Sequence, residues 1–161
     1  MKFFYIVLIL VLSISCIGRN KIVTSSYNYS TECLGAEGDG TLTLLAWGNG
    51  RNRVDAIEQA KKNAVMDVLF KGIIQGKSDC SKIPLVNEPN AREKYEGYFN
   101  TFFTDGGLYK KFVSSKDERL DDKIDRDRMK SDKMVTNSCV VLVKRFQLKQ
   151  QLIKDQILKN E

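Results

Sequence analysis

Side chains able to do acid–base, nucleophilic or metal chemistry are few in this sequence, and they are scattered. The 161 residues hold 20 Asp and Glu, 26 Lys and Arg, four cysteines and no histidine. Without imidazole the chain lacks the commonest general base near neutral pH, the usual Ser-His and Cys-His pairs, and His-based metal sites. Glu37, Asp39 and Asp105 offer the material for a carboxylate pair. They stand, however, in Glu37-Gly38-Asp39-Gly40 and Asp105-Gly106-Gly107, where acidic side chains ordinarily close turns. The glycines of 35–40 and 48–50 lack the Gly-Lys-Ser/Thr ending of a phosphate-cradling loop and also read as turn residues. The cysteines show no C-x-x-C spacing, so no zinc site is predicted. The residues therefore predict no catalytic group, no metal and no cofactor.

Cys16 is the exception, because of what precedes it. Met1-Lys2 gives a positive end, Phe3 to Leu12 is an unbroken apolar run, and Ser13-Ile14-Ser15 leads into the cysteine. A ten-residue run is well short of the roughly 20 residues that span a bilayer, and the layout is that of a secretory signal. The residues before Cys16 resemble a lipobox: Ser15 and Ile14 suit the two nearest positions, and Ser13 stands where Leu is usual. The expected chemistry at Cys16 is lipid attachment, with acyl chains such as palmitate. Each buried CH₂ contributes about 0.8 kcal/mol, so several chains on one residue make a lasting anchor. The alternative is a plain secretory cleavage site with Cys16 left as a thiol or disulfide partner. Residues 1–15 are thus read as a signal peptide, 16–31 as a lipidated tether rich in Gly, Ser, Asn and Thr, and 32–161 as one domain. In the lipoproteins that this layout resembles, the absence of Asp at the position of Ile17 and of an acidic run behind it implies the outer membrane, facing the periplasm.

Cys33, Cys80 and Cys139 then remain. An oxidising compartment predicts one disulfide among them. If the first strand runs up and the first helix returns, the helix end comes back near the strand start, and Cys33 and Cys80 flank those ends. They are the expected pair, with all three thiols reduced and buried as the alternative. Cys139, inside an apolar strand, is expected to act as a small core residue. The formal charge is +6, and loss of Lys2 with the leader leaves +5. Basic and acidic residues interleave, as in Asp125-Arg126-Asp127-Arg128, so no single-sign stripe forms and no nucleic-acid partner is expected; a well-solvated surface is the reading, with weak attraction to lipid headgroups as the alternative.

These residues must be positioned by a small set of elements. Thr41 to Trp47 predicts a strand over about 40–48, and Gly48-Asn49-Gly50-Arg51 a turn. Asn52 is the expected N-cap of a helix of roughly twenty residues ending near Gly72, with Asp55 in the capping-box position. Its apolar side is Ile57, Ala60, Ala64, Val65, Val68 and Leu69, opposite Lys61, Lys62 and Asp67. Three alanines in register (Ala56, Ala60, Ala64) predict close packing on a flat surface, most simply a sheet. A second helix is expected after Asn90, carrying Tyr95, Tyr98, Phe99, Phe102 and Phe103, most of them directed to the core. Leu108 to Ser115 predicts a strand, and 115–133 a charge-rich loop. Met134 to Phe146 predicts a strand covered on both faces or central in its sheet, and Gln147 to Lys159 a terminal amphipathic helix. The fold class is α+β: a small, mostly antiparallel sheet, the Ala-rich helix on one face, the aromatic-rich helix and the C-terminal helix.

The stretch Leu44 to Gly72 (LLAWGNGRNRVDAIEQAKKNAVMDVLFKG) resembles the strand–turn–helix opening of a group of envelope lipoprotein domains. That group includes relatives of the LPP lipoprotein and the N-terminal domain of flagellar assembly proteins. There a G-x-G turn follows the first strand and a helix with A-x-x-x-A spacing packs on a small sheet; Gly48, Gly50, Ala56, Ala60 and Ala64 match. The layout, size and the AWGNG and YFNTFFTDGG segments are also similar to the small TssQ-type lipoproteins of type VI secretion. The resemblance implies a scaffold role and carries over no catalytic residue. The sequence thus predicts a non-enzymatic envelope scaffold, partnered by the membrane and by other envelope proteins, with no small-molecule ligand expected. The alternative is a glycan- or lipid-binding lipoprotein whose pocket is lined by Trp47 and the aromatics from Tyr95 to Phe103.

Overall fold

The computed structural model describes residues 30–116 and 134–159. The segment expected to be a signal peptide, Cys16, nearly all of the expected tether and the charge-rich stretch from 117 to 133 lie outside the described residues. In chain order the elements are β1 (Glu32–Ala36), β2 (Thr41–Gly50), α1 (Arg53–Phe70) and β3 (Gln75–Gly76), then α2 (Ala91–Lys94) and α3 (Glu96–Phe102). A 3₁₀ turn (Leu108–Phe112), β4 (Val113–Ser115), β5 (Val135–Lys144) and α4 (Arg145–Lys154) complete them. The strands form one sheet in the order β3-β1-β2-β5-β4. All pairs are antiparallel except β1 with β3. The fold is α+β.

The sheet's centre is the long pair of β2 and β5. Their register sets Leu42, Leu44 and Ala46 opposite Val143, Val141 and Cys139 on one face. On the other face Thr43 and Leu45 stand opposite Leu142 and Val140. The first face carries the core, and Leu44, Ala46, Val141 and Val143 are all fully buried. The second face is half-buried. The apolar run in β5 thus reflects its place between β2 and β4, with one face wholly covered and the other partly so.

Helix α1 lies on the covered face. Asn52 caps it from an extended conformation, its side-chain oxygen accepting the Asp55 N–H at 2.8 Å. Ala56, Ala60 and Ala64 are 0% exposed, and beneath them the layers almost touch. A Cβ on Gly48 would stand 2.1 Å from the Ala56 carbonyl oxygen and 2.3 Å from the Ala60 nitrogen. Small residues on both sides are what let the helix backbone rest on the strand.

Several expected elements take other forms. Leu108–Ser115 is not one strand: a 3₁₀ turn occupies Leu108–Phe112 and only Val113–Ser115 is extended. Tyr109 and Phe112 are both buried, and a repeat of three residues places them on one side of a 3₁₀ turn, whereas a strand would send them to opposite faces. The second helix breaks at Tyr95 into α2 and α3. Asn90 holds the N-cap position in the left-handed region, with φ 56°, and makes no side-chain capping bond. The terminal helix begins earlier, at Arg145, and ends at Lys154 because Gln156 turns the chain with φ 59°. β1 and β3, which had no sequence signal, form the edge on the Cys33 side.

Candidate functional site

The aromatic residues singled out above do not surround one cavity. Phe99 and Phe102 are buried at 3% and 2% exposure, while Tyr95, Tyr98 and Phe103 pack against the core from its margin. The rings contact one another: Phe99 meets Phe70 edge-on at 4.9 Å, and Phe102 stacks on Phe112 at 6.2 Å. Phe103 lies 5.9 Å from Tyr109. Such pairs contribute about 0.5–1.5 kcal/mol each beyond burial, so this segment is interior packing that fixes α3 onto α1 and the 3₁₀ turn. Two phenols, Tyr98 at its margin and the buried Tyr109 beside it, are tied to carboxylates. Tyr98 donates to Asp155 at 2.7 Å, and Tyr109 to Glu58 at 3.2 Å. Burial, and then the adjacent carboxylate, pushes each phenol above its ordinary pKa.

Trp47 instead borders a separate groove of about 560 Å³ between α1 and the 84–93 loop, together with Phe70, Met66 and Val86. Several of the polar groups around it, Thr31, Asn63, Asp67 and Lys71 among them, already have partners. Asn63 donates to the Trp47 carbonyl at 2.8 Å, closing the edge of β2 beyond the end of β1. Asp67 accepts from the Thr31 hydroxyl at 2.5 Å and pairs with Lys71 at 3.0 Å.

The helix face expected to be solvated is also engaged. Lys61 and Lys62 keep only 13% and 16% of their side-chain surface exposed. Lys61 pairs with Glu58 at 3.0 Å, and Lys62 reaches Asp105 at 2.8 Å while lying 5.5 Å from the Tyr109 ring centre. Glu58 also pairs with Lys110 at 3.2 Å. Burial pulls the Glu58 pKa upward, but the hydrogen bonds and charges of Lys61 and Lys110 outweigh it, and the net shift is downward. The Lys62 ammonium lowers Asp105, and the Thr41 backbone N–H and hydroxyl lower Asp39. Each of these shifted carboxyls favours its ionised form, the electrostatics of ion pairs and turns rather than of a proton donor kept neutral. Asp39 holds its turn, as its glycine neighbours suggest, whereas the Asp105 carboxylate closes no turn and reaches across to Lys62.

Cys33 and Cys80 form a disulfide with an S–S distance of 2.06 Å and a Cα–Cα distance of 5.9 Å. β1 and β3 bring them together: Cys33 pairs with Leu44 on one side and Gly76 on the other. Cys139 is partly buried against the core. Among the described residues, no group of three or more His, Cys, Asp and Glu is placed to hold a metal ion, and no helix is long and apolar enough to cross a membrane.

A second concavity, of about 700 Å³, lies between the 83–88 loop and the C-terminal segment, with Arg145, Lys149, Lys94 and Lys159 on its walls. The sequence reading missed it. The available signal was the charge bias from Lys144 to Lys159, five cations against Asp155 alone. No family model, curated protein or solved structure matches the chain.

Proposed function

We propose that this chain is a lipid-anchored scaffold of a multiprotein assembly in a bacterial cell envelope, tethered through Cys16 and facing the periplasm from the outer membrane. The observation that carries the proposal is the ten-residue apolar run closing on Ser13-Ile14-Ser15-Cys16, a layout that directs export and lipid attachment. Two structural features support it. The Cys33–Cys80 disulfide suits an oxidising compartment. The aromatic segment, which a binding lipoprotein would turn toward a ligand, is packed into the core instead, and this counts against the pocket alternative. The contact of α1 with β2 across Gly48 fits the strand–turn–helix likeness to envelope lipoprotein domains, and a place in a secretion-type complex is the specific form of the proposal.

Expression in an envelope-bearing bacterium with labelled palmitate tests it. The intact chain is expected to take up label, sediment with membranes and bring envelope proteins with it after gentle cross-linking. Cys16→Ala is expected to lose label and membrane association together. A Cys16→Ala chain as firmly membrane-bound as the parent refutes the anchor, and recovery of cross-linked monomer alone refutes the scaffold.

A further inference from the structure

Arg145 is a cation that the fold draws partly out of water without giving it an anion among the described residues. The ion pairs engage Arg51, Lys61, Lys62, Lys71, Lys94 and Lys110; Arg145, the first residue of α4, is in none of them. Its guanidinium is half-buried, yet its acceptors are two uncharged oxygens at long range, Ser81 Oγ at 3.3 Å and the Ile83 carbonyl at 3.5 Å. A guanidinium carries five N–H donors in a planar fork, so most of its capacity is unused. Burial alone displaces its pKa, downward, with no neighbouring anion to offset it. A cation withdrawn from water without a counter-charge costs stability, and an anion arriving from outside relieves that cost.

The surroundings state what kind of anion. Arg145, Lys149 and Lys159 line the 700 Å³ groove with Lys94, and its one acidic residue, Glu88, is already held by Lys94 at 2.6 Å. Two large exposed apolar residues accompany the arginine: Ile83 (65% exposed), whose carbonyl takes one of its N–H groups, and Phe146 (58% exposed), its neighbour in the chain. Cations with exposed aliphatic and aromatic side chains beside them match a bilayer surface, where phosphates lie at the level of the headgroups and apolar side chains enter the acyl boundary.

We propose that this groove binds the phosphate of an anionic phospholipid headgroup, with Arg145 as the bidentate donor, Lys149 and Lys159 as supporting charges, and Ile83 and Phe146 at the acyl boundary. The inference rests on the membrane-tethered reading and adds the surface by which the domain meets the bilayer. The test is hydrogen exchange on the full acylated chain in nanodiscs of phosphatidylcholine, with and without phosphatidylglycerol, and in phosphatidylcholine discs with inorganic phosphate. Short-chain phosphatidylglycerol is titrated against the chain in parallel.

Slower exchange over 81–88 and 145–149 is expected with phosphatidylglycerol only. Arg145→Gln is expected to weaken that protection about five-fold, the share of one cation at an anionic surface, and Arg145→Lys by less, with exchange in α1 and β2 unchanged in both. Equal protection by inorganic phosphate overturns the lipid assignment in favour of a free anion. No protection, or protection indifferent to Arg145, overturns the site. A chain that joins neither kind of disc refutes the anchor instead, and the short-chain lipid titration then decides the site by itself.

Discussion

Replacing Gly48 with alanine adds one carbon at the most crowded point between the sheet and α1. That carbon would lie 2.1 Å from the Ala56 oxygen, 2.3 Å from the Ala60 nitrogen and 2.9 Å from the Gln59 carbonyl carbon. All three are backbone atoms, so no rotamer change relieves the clash. The helix must withdraw by about 1.3 Å, from 2.1 Å to the 3.4 Å at which ordinary contact begins. A gap of about 0.5–1 Å already forfeits a quarter to a half of a dispersion contact, and the withdrawal reaches Ala60, Ala64, Val65 and Val68, all buried at 2% exposure or less. Overpacking costs about 1–3 kcal/mol, and this case belongs at the upper end because the obstacle is rigid. The smaller unfolded-state entropy of alanine returns about 0.4–1 kcal/mol.

The net expectation is a loss of about 2–3 kcal/mol, or roughly 10 °C in Tm for a domain of this size. Urea denaturation followed by circular dichroism, with the disulfide intact, measures it, and an unchanged m-value shows that the native state is what moved. Gly38→Ala is the control: a Cβ there meets nothing within 4 Å, so stability should hold or rise slightly. If the two variants agree within about 0.5 kcal/mol, the ordinary scatter of surface substitutions, α1 does not rest on β2 at this spacing, and the packing account of Ala56, Ala60 and Ala64 is wrong.

Breaking the Cys33–Cys80 bridge, which spans 47 residues, should lower stability by about 4 kcal/mol on the loop-entropy scale. An unfolding midpoint indifferent to reductant, or to the paired Cys33→Ser and Cys80→Ser changes, would count against that. Phe102→Ala should cost about 3–5 kcal/mol if the ring is core; a loss under about 1 kcal/mol would restore it as a pocket wall. Glu58 has a folded-state pKa below its ordinary 4.5, so on acidification the unfolded chain takes up its proton first. Its contribution is complete above pH 4.5 and is lost as the pH falls through the lower folded value. Glu58→Gln should therefore flatten the acid limb of a stability–pH curve, and an unaltered slope below pH 4.5 would contradict the pairing with Lys61 and Lys110.

Elements whose own residues carry the pattern were legible. α1 has an Asn cap and a long apolar repeat, β2 alternates loosely from Thr41 to Trp47 and β5 runs apolar from Cys139 to Val143, but Gly48-Asn49-Gly50, expected as a turn, continues β2 in register with Asn137, Thr136 and Val135. β1 was not, because its five residues include Gly35 and its pairing slips at a bulge between Cys33 and Gly35; it is held by its neighbours and the disulfide rather than by its composition. β3 is two residues long, too short for any periodicity to show. At 108–112 two lysines separate the buried residues, and the choice between a three-residue and a two-residue repeat turned on what Tyr109 and Phe112 meet across the fold. Aromatic density near Tyr95 foretold burial but not partners, which come from α1 and the 3₁₀ turn. The Arg145 groove was the least legible feature, since its walls come from segments more than fifty residues apart.

On the proposed reading, the distribution of engaged and unengaged polar groups lets an anchor and a weak surface site work together. On α1, Glu58, Lys62 and Asp67 are spent joining the 3₁₀ turn, the Asp105 loop and Thr31 to the helix, so they rigidify the domain and are not available to a ligand. The groove at Arg145 offers shallow contacts, and a single headgroup there need bind no more tightly than the millimolar range, about −4 kcal/mol. A site that weak would be empty in dilute solution. On the proposed reading, acyl chains at Cys16 make the second contact intramolecular, and effective concentrations of order millimolar then suffice to fill it. The anchor would supply residence at the membrane and the groove would supply orientation, presenting the remaining faces of the domain in a fixed direction to whatever assembles on it.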